Sequence, residues 1–527
     1  MLIALLAAAA VASSTPSVEE RGLADLSADL AAGRITSEAL TKAYLARIAA
    51  IDKAGPTLNS ILALNPAALA EARAVDRARA EGRPLSPLAG IPVLVKDNIE
   101  TADEMATTAG SLALADNITH RDAPLVAHMR ATGLIILGKT NLSEWANIRS
   151  SASISGWSAV GGLVRNPYAL DRNVCGSSSG TGAAIAASLA AAGVGTETDG
   201  SITCPSSLTG LVGLKPTVGR ISRTYVVPIS HSQDTPGPMA RSVLDAALLL
   251  NAMVGADDQD PATKASPPPV DFSQGLASAS LKGVRLGILR GAAEAFSAEQ
   301  MAAFDATLKL LAAQGAVLVE ITDFHRNPAL GADEDLVLKT ELKADLDVYL
   351  AKAAPQVQMR TLAQLIGFNA KSPREMVLFG QDYFEAAEQA KGLDDPAYLA
   401  ARARAKQMAG PEGIDRLLAR DKLDALIAPS YGPAWRIDVV TGDHDAGGIA
   451  SLAAIAGYPH LTVPMGAIRG LPIGLSFVGP AWSEAKLLQM GAAFERAAQA
   501  RHPPTYLPSL EDQADLQEAF APASKTQ

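Results

Sequence analysis

The sequence predicts an α/β protein: a single large domain with a mixed, mostly parallel central sheet covered by helices on both faces. Two observations carry that prediction. Short apolar runs of strand length alternate along the chain with stretches of helical periodicity. In addition, 48% of the 527 residues are hydrophobic against 19% charged, ample for a large buried core and unlike a disordered or coiled-coil chain.

Taken in order, Leu23, Leu26 and Leu30 recur at helical spacing and Gly33 supplies a stop. Thr36 can cap a second helix, whose face carries Leu40, Tyr44, Ile48 and Ile51. Asn65-Pro66 sets a cap before a proline at the first helical position, and that helix ends at Gly82. The apolar runs 92–95, 134–137, 284–289, 316–321, 425–428, 460–463 and 473–478 read as buried strands. Helices are expected over 183–192 and 243–254, and after Ser297, where Ser297-Ala298-Glu299-Gln300 forms a capping box. The Pro-, Ala- and Asp-rich stretch 257–273 reads as a surface excursion, because strand–helix alternation resumes straight after it. One domain is therefore placed at 17–508, with a polar tail over 509–527.

The first 16 residues read as a signal peptide: Met1 to Ala12 is apolar and uncharged, and Ala10-Val11-Ala12 gives a small-x-small cleavage pattern. Export to the periplasm or medium is expected, with the cytoplasm as the alternative because no Lys or Arg precedes the apolar run. The run is too short to span a bilayer, so no membrane insertion of the mature chain is expected. A net charge of −10 argues against binding a nucleic-acid backbone. Two cysteines cannot build a disulfide scaffold or a four-cysteine zinc site. A monomer and a homodimer are both compatible with the sequence.

Three segments bear on chemistry. Gly90-Ile91-Pro92-Val93-Leu94-Val95-Lys96-Asp97-Asn98 is a strand running into a lysine. Cys175-Gly176-Ser177-Ser178-Ser179-Gly180 precedes an Ala-rich helix. Gly195-Thr196-Glu197-Thr198-Asp199-Gly200-Ser201-Ile202-Thr203-Cys204-Pro205 follows that helix. Singly these are ordinary, since serines among glycines usually form turns and a lysine at a strand end is usually solvated. Gly176-Ser177-Ser178-Ser179-Gly180 also satisfies the G-x-S-x-G elbow of α/β-hydrolases, with Ser178 as nucleophile, but the stretch before it is turn-rich rather than a strand. It lacks the lysine of a phosphate loop as well.

Together the segments resemble the amidase signature family, whose members carry a Ser–cis-Ser–Lys triad. Leu137-Gly138-Lys139-Thr140-Asn141-Leu142-Ser143-Glu144-Trp145, Gly213-Leu214-Lys215-Pro216-Thr217 and Asp234-Thr235-Pro236-Gly237-Pro238-Met239-Ala240-Arg241-Ser242-Val243 extend the likeness, as does Gly474-Leu475-Ser476-Phe477. Within the family the chain is most similar to bacterial peptide amidases, on Glu197-Thr198-Asp199-Gly200-Ser201, Ser153-Ile154-Ser155-Gly156-Trp157-Ser158 and Ala409-Gly410-Pro411-Glu412-Gly413-Ile414-Asp415.

The resemblance implies the amidase signature fold and an amide hydrolase that removes the C-terminal amide of peptides as ammonia. Ser201 would be the nucleophile, Ser177 the bridging serine after a cis peptide, and Lys96 the base, with Thr198, Asp199, Gly200 and Ser201 offering N–H groups to an oxyanion. No metal or organic cofactor is implied, and the partner is a small-molecule or peptide amide. Lys96 must then be neutral, so burial has to lower its pKa. Asp199 replaces a glycine common in the family, either receiving a substrate donor or bracing the loop. Thr203 stands where members acting on free amino-acid amides often carry Arg, which favours substrates without a free α-carboxylate. Cys175 and Cys204 flank the two serines, and both a disulfide and a pair of buried thiols remain open. The substrate pocket is expected to draw residues from 320–450. Rival readings are an amidase or esterase of the same family acting on aryl, aliphatic or lipid amides, a tRNA-linked amidotransferase subunit, an α/β-hydrolase-type esterase, and a silent binding protein.

Overall fold

The computed structural model describes residues 17–293, 296–324, 327–444 and 447–522. The signal-peptide reading over 1–16 lies outside the described residues. The strands are β1 (Ile61–Leu64), β2 (Pro92–Lys96), β3 (Ile135–Thr140), β4 (Trp157–Ser158), β5 (Gly162–Leu163), β6 (Gly193–Glu197), β7 (Val212–Lys215), β8 (Thr235–Ala240), β9 (Arg285–Ile288), β10 (Val317–Glu320), β11 (Ala425–Pro429), β12 (His460–Ile468) and β13 (Leu471–Val478). Strands β4 and β5 pair with each other; the rest form one 11-stranded sheet in the order β1-β3-β2-β6-β8-β7-β12-β13-β11-β9-β10.

Every residue of β2, β3, β6, β7, β8, β11 and β13 is buried. Strands buried on both sides require cover on both faces of the sheet. Helices Glu484–Ala498 and Val243–Met253 supply part of it, packing on β12 and β8 respectively. Among the described residues no helix is long and apolar enough to cross a membrane.

Two of the three cap signals read from the sequence hold. Thr36 accepts from Ala39 N at 3.1 Å ahead of the helix Ser37–Arg47, and Ser297 and Gln300 close both bonds of the capping box before Ala298–Ala313. At the third, Asn65 Oδ1 accepts from Ala67 N at 2.9 Å, but the helix Ala68–Ala80 opens after Ala67, so Pro66 lies in the turn ahead of it and not at its first position.

Two expectations are corrected. The sheet is mixed as predicted, but not mostly parallel: β2–β3, β2–β6, β9–β10 and β9–β11 pair in parallel, whereas β1–β3, β6–β8, β7–β8, β7–β12, β12–β13 and β11–β13 pair antiparallel. Within the centre, β12 and β13 are antiparallel because they form a hairpin across Arg469-Gly470, both at positive φ, the turn geometry that matches strand twist. The helix expected over 183–192 runs instead from Ser179 to Ala186. Its end is taken over by Arg241, whose guanidinium donates to the carbonyls of Ile185, Ala190 and Ala191 at 2.7, 3.1 and 3.0 Å, holding 187–192 as a buried turn. Its start packs so closely on the end of β3 that a Cβ at Gly180 would lie 2.3 Å from Asn141 O.

Candidate active site

The ends of the paired strands β2 and β6, with the loop that enters the helix Ser179–Ala186, deliver the site. Strand β2 ends at Lys96, whose side chain is fully buried behind Val93, Leu94 and Val95. Its Nζ donates to Ser177 Oγ at 2.7 Å, to Thr196 Oγ1 at 2.9 Å and to Thr196 O at 3.3 Å. Asn98 Nδ2 donates to the same Thr196 hydroxyl at 2.9 Å. Burial lowers the Lys96 pKa from 10.5 to about 7, the negative charges of Asp234 and Glu197 opposing the fall.

Ser177 is fully buried and follows a cis peptide bond from Gly176. Its carbonyl accepts from Ser143 N at 3.0 Å, and the next residue ties the two serine loops together, Ser178 N donating to Ser201 O at 3.1 Å. Ser178 is no nucleophile elbow: its hydroxyl is buried, donates to Thr196 O at 3.1 Å and accepts from Thr196 N at 3.2 Å.

Ser201 lies after β6, just before the short helix Thr203–Leu208. Glu197 Oε2 accepts from Ile202 N and Thr203 N at 2.8 and 2.9 Å, satisfying donors that a helix start leaves unpaired. Thr203 also turns its hydroxyl to Glu197, so this position faces the protein rather than the cavity. Gly200 has φ +81°, and a Cβ there would lie 2.3 Å from Tyr431 Oη, so only glycine fits. Among the described residues no backbone carbonyl accepts from the N–H groups of Gly200 and Ser201. Thr198 donates its hydroxyl to Asp234 Oδ1 at 2.6 Å, and Asp199 accepts from Ser451 Oγ at 2.6 Å while lining the cavity.

A cavity of about 560 Å³ opens over this turn. Gly176, Asp199 and Gly200 line it together with Asn147, Tyr431 and Trp435 among others. The expectation that 320–450 contributes is met by Leu378, Tyr431, Trp435 and 439–443. Asp443 holds that last segment down, accepting from Ser155 N at 2.9 Å and from Trp435 Nε1 at 3.3 Å. The question left open at the cysteines is answered: Cys175 and Cys204 form a disulfide with Cα atoms 5.9 Å apart, joining the Ser177 loop to the Ser201 helix at the cavity wall.

The structure thus brings Lys96 and Ser177 into direct contact and sets Ser201 with Thr198, Asp199 and Gly200 on one turn beside them. Sequence reasoning passed over Thr196, Asn98 and Asp234, although each stands inside a quoted segment; Tyr431 carried no local signal.

The family described as Amidase matches residues 39–488. A probable amidase of Arabidopsis thaliana is 38% identical over 507 residues, covering 94% of this chain and 93% of that protein. The native peptide amidase of Stenotrophomonas maltophilia has a TM-score of 0.88 at 49% identity, covering 93% of this chain and 99% of that one. A peptide amidase in complex with the competitive inhibitor chymostatin gives 0.89 at 49% identity, with coverages of 92% and 99%. With sequence and fold agreeing over nearly the whole chain, the protein belongs to the amidase family and is a hydrolase of carbon–nitrogen amide bonds.

Proposed function

We propose that this amidase releases ammonia from the C-terminal amide of peptides, with Ser201 as nucleophile, Ser177 as proton bridge and Lys96 as base. The observation that carries the reading is the 2.7 Å contact between a fully buried Lys96 amine and Ser177, beside the turn that presents Ser201. An amide is a poor electrophile and a serine hydroxyl a weak nucleophile, so attack needs a base and a place for the oxyanion. A neutral Lys96 takes the Ser177 proton as Ser177 takes that of Ser201, and Ser201 Oγ bonds to the carbonyl carbon. The N–H groups of Gly200 and Ser201, with Thr198 and Asp199 beside them, receive the oxyanion. The proton returns through Ser177 to the leaving nitrogen, ammonia departs, and water resolves the acyl-enzyme by the same relay.

The peptide preference draws on the 49% identical peptide amidases and on a cavity lined by Gly176 and Gly200, the residues preceding the two serines, together with Tyr431 and Trp435, broad surfaces for a chain rather than for a small amide. Ammonia release should be fastest from short amidated peptides, slower from free amino-acid amides and slowest from fatty amides. A panel assay with those classes checks this, and a preference for fatty or aryl amides would move the enzyme to another branch of the family.

A second reading concerns location. The Cys175–Cys204 bond favours export, since disulfides persist in oxidising compartments. Mass spectrometry of the chain from its native host should find an N-terminus within a few residues of Ala12, and an intact Met1 would refute export.

A further inference from the structure

Behind the turn that leads from Thr198 to Ser201 lies a layer of polar contacts that the relay itself does not use. The Thr198 hydroxyl donates to Asp234 Oδ1, and Asp234 Oδ2 accepts from the N–H groups of Ile229 and Ser230 at 2.8 and 2.9 Å. Beside it, Gln233 Nε2 donates to Thr198 O at 3.3 Å and to Glu334 Oε1 at 2.9 Å. Both polar ends of Thr198 are thus gripped by the strap 229–234.

That strap is fastened to the long helix Pro328–Ala351. Ser232 donates from its N and Oγ to Glu341 at 3.0 and 2.6 Å. His231 sits between two carboxylates, with Nδ1 2.9 Å from Asp345 and Nε2 3.2 Å from Glu341. Glu334, Glu341 and Asp345 are spaced to share one helix face, so a rigid element holds the strap along its length.

We propose that Asp234 is a positioning residue for the amide hydrolysis: its carboxylate fixes the Thr198–Ser201 turn from behind and, when ionised, sets a negative charge beside the Lys96–Ser177 relay. The proposal rests on the roles assigned to Ser201 and Lys96 above. A nearly buried carboxylate is costly unless several donors meet it, and here three do. Asp234 is also the leading negative charge acting on Lys96, counteracting part of what burial does to the amine. Facing Asp234 are Thr198 and Lys96 from the sheet and Arg223 from its own segment. Across the adjoining cavity of about 540 Å³ lie Arg121, His231, Asp260, Asp345, Lys352 and Arg402.

Asp234→Asn keeps an oxygen for the two N–H groups and an amide for the Thr198 hydroxyl, but removes the charge. Relative to wild type, kcat on an N-acylated peptide amide should fall about tenfold with KM held within about twofold, as for an interaction made only in the transition state. The acidic limb of the pH profile should move down by about half a unit or more. Thr198→Val, which removes the hydroxyl bonded to Asp234 but leaves the carboxylate in place, should lower kcat without moving the limb, so the positioning and the charge separate. Unchanged kcat and an unmoved limb in folded Asp234→Asn would overturn the proposal. If Asp234→Asn does not fold, Gln233→Met tests the same grip from the carbonyl side: kcat should fall with KM held, and a wild-type kcat overturns it. Ser201→Ala run alongside separates the two readings. Activity surviving there defeats the assignment of the nucleophile, whereas a dead Ser201→Ala with a wild-type Asp234→Asn defeats only the role given to Asp234.

Discussion

Ser201→Ala is expected to lower ammonia release from a peptide amide by about 10⁴-fold or more, and Ser177→Ala and Lys96→Ala by amounts within about a factor of ten of it. Each change breaks the same chain at a different link. Without Ser201 no acyl-enzyme forms. Without Ser177 the proposed proton bridge is lost, because Lys96 Nζ makes its described contacts with Ser177 and Thr196 and none with Ser201. Without Lys96 no substitute stands by: among the described residues no carboxylate lies within ion-pair distance of its nitrogen, and the histidine of the strap, His231, is held between Asp345 and Glu341. Members of a relay act as a unit, so a double variant should be hardly worse than either single one. Lys96→Met, which fills the buried space with an apolar chain, separates the lost base from a lost fold. Steady-state rates with thermal melts of each variant check the set. Near-normal turnover in a folded Lys96→Met would remove the lysine from the mechanism.

How much of this was legible in the sequence follows from which forces act locally. The apolar runs at β2, β11 and β13 announce themselves, and Thr36 and Ser297 cap their helices through bonds three residues away. Strands β6 and β8 gave no such sign. Gly193–Glu197 is too glycine-rich for a strand pattern, and Thr235–Ala240 carries Pro236 and Pro238, residues normally kept out of sheet interiors. The two pair with each other across the centre, so tertiary context overrides local propensity there. The truncated helix at Ala186 has the same origin, since Arg241, just past the end of β8, reaches the carbonyls of Ile185 and Ala190 from far along the chain. At the site, Lys96, Ser177 and Ser201 stood out through motif likeness. Asp234, Gln233 and Tyr431 matter through contacts that only the folded chain creates, and the Cys175–Cys204 bond depends on a Cα separation that spacing alone does not give.

The central claim is that a buried amine works as the base because it gives up its charge near neutrality. Burial brings the Lys96 pKa from 10.5 to about 7, and the base form is the one without the proton. Activity must therefore rise with pH, about tenfold per unit below pH 7, and level off above it. The decisive measurement is log kcat/KM from pH 5 to 10 on an N-acylated peptide amide that does not itself titrate, because this ratio reports the free enzyme. The predicted curve has unit slope up to a bend near pH 7 and a plateau beyond. A bend near 10, or a flat profile across the whole range, would contradict it.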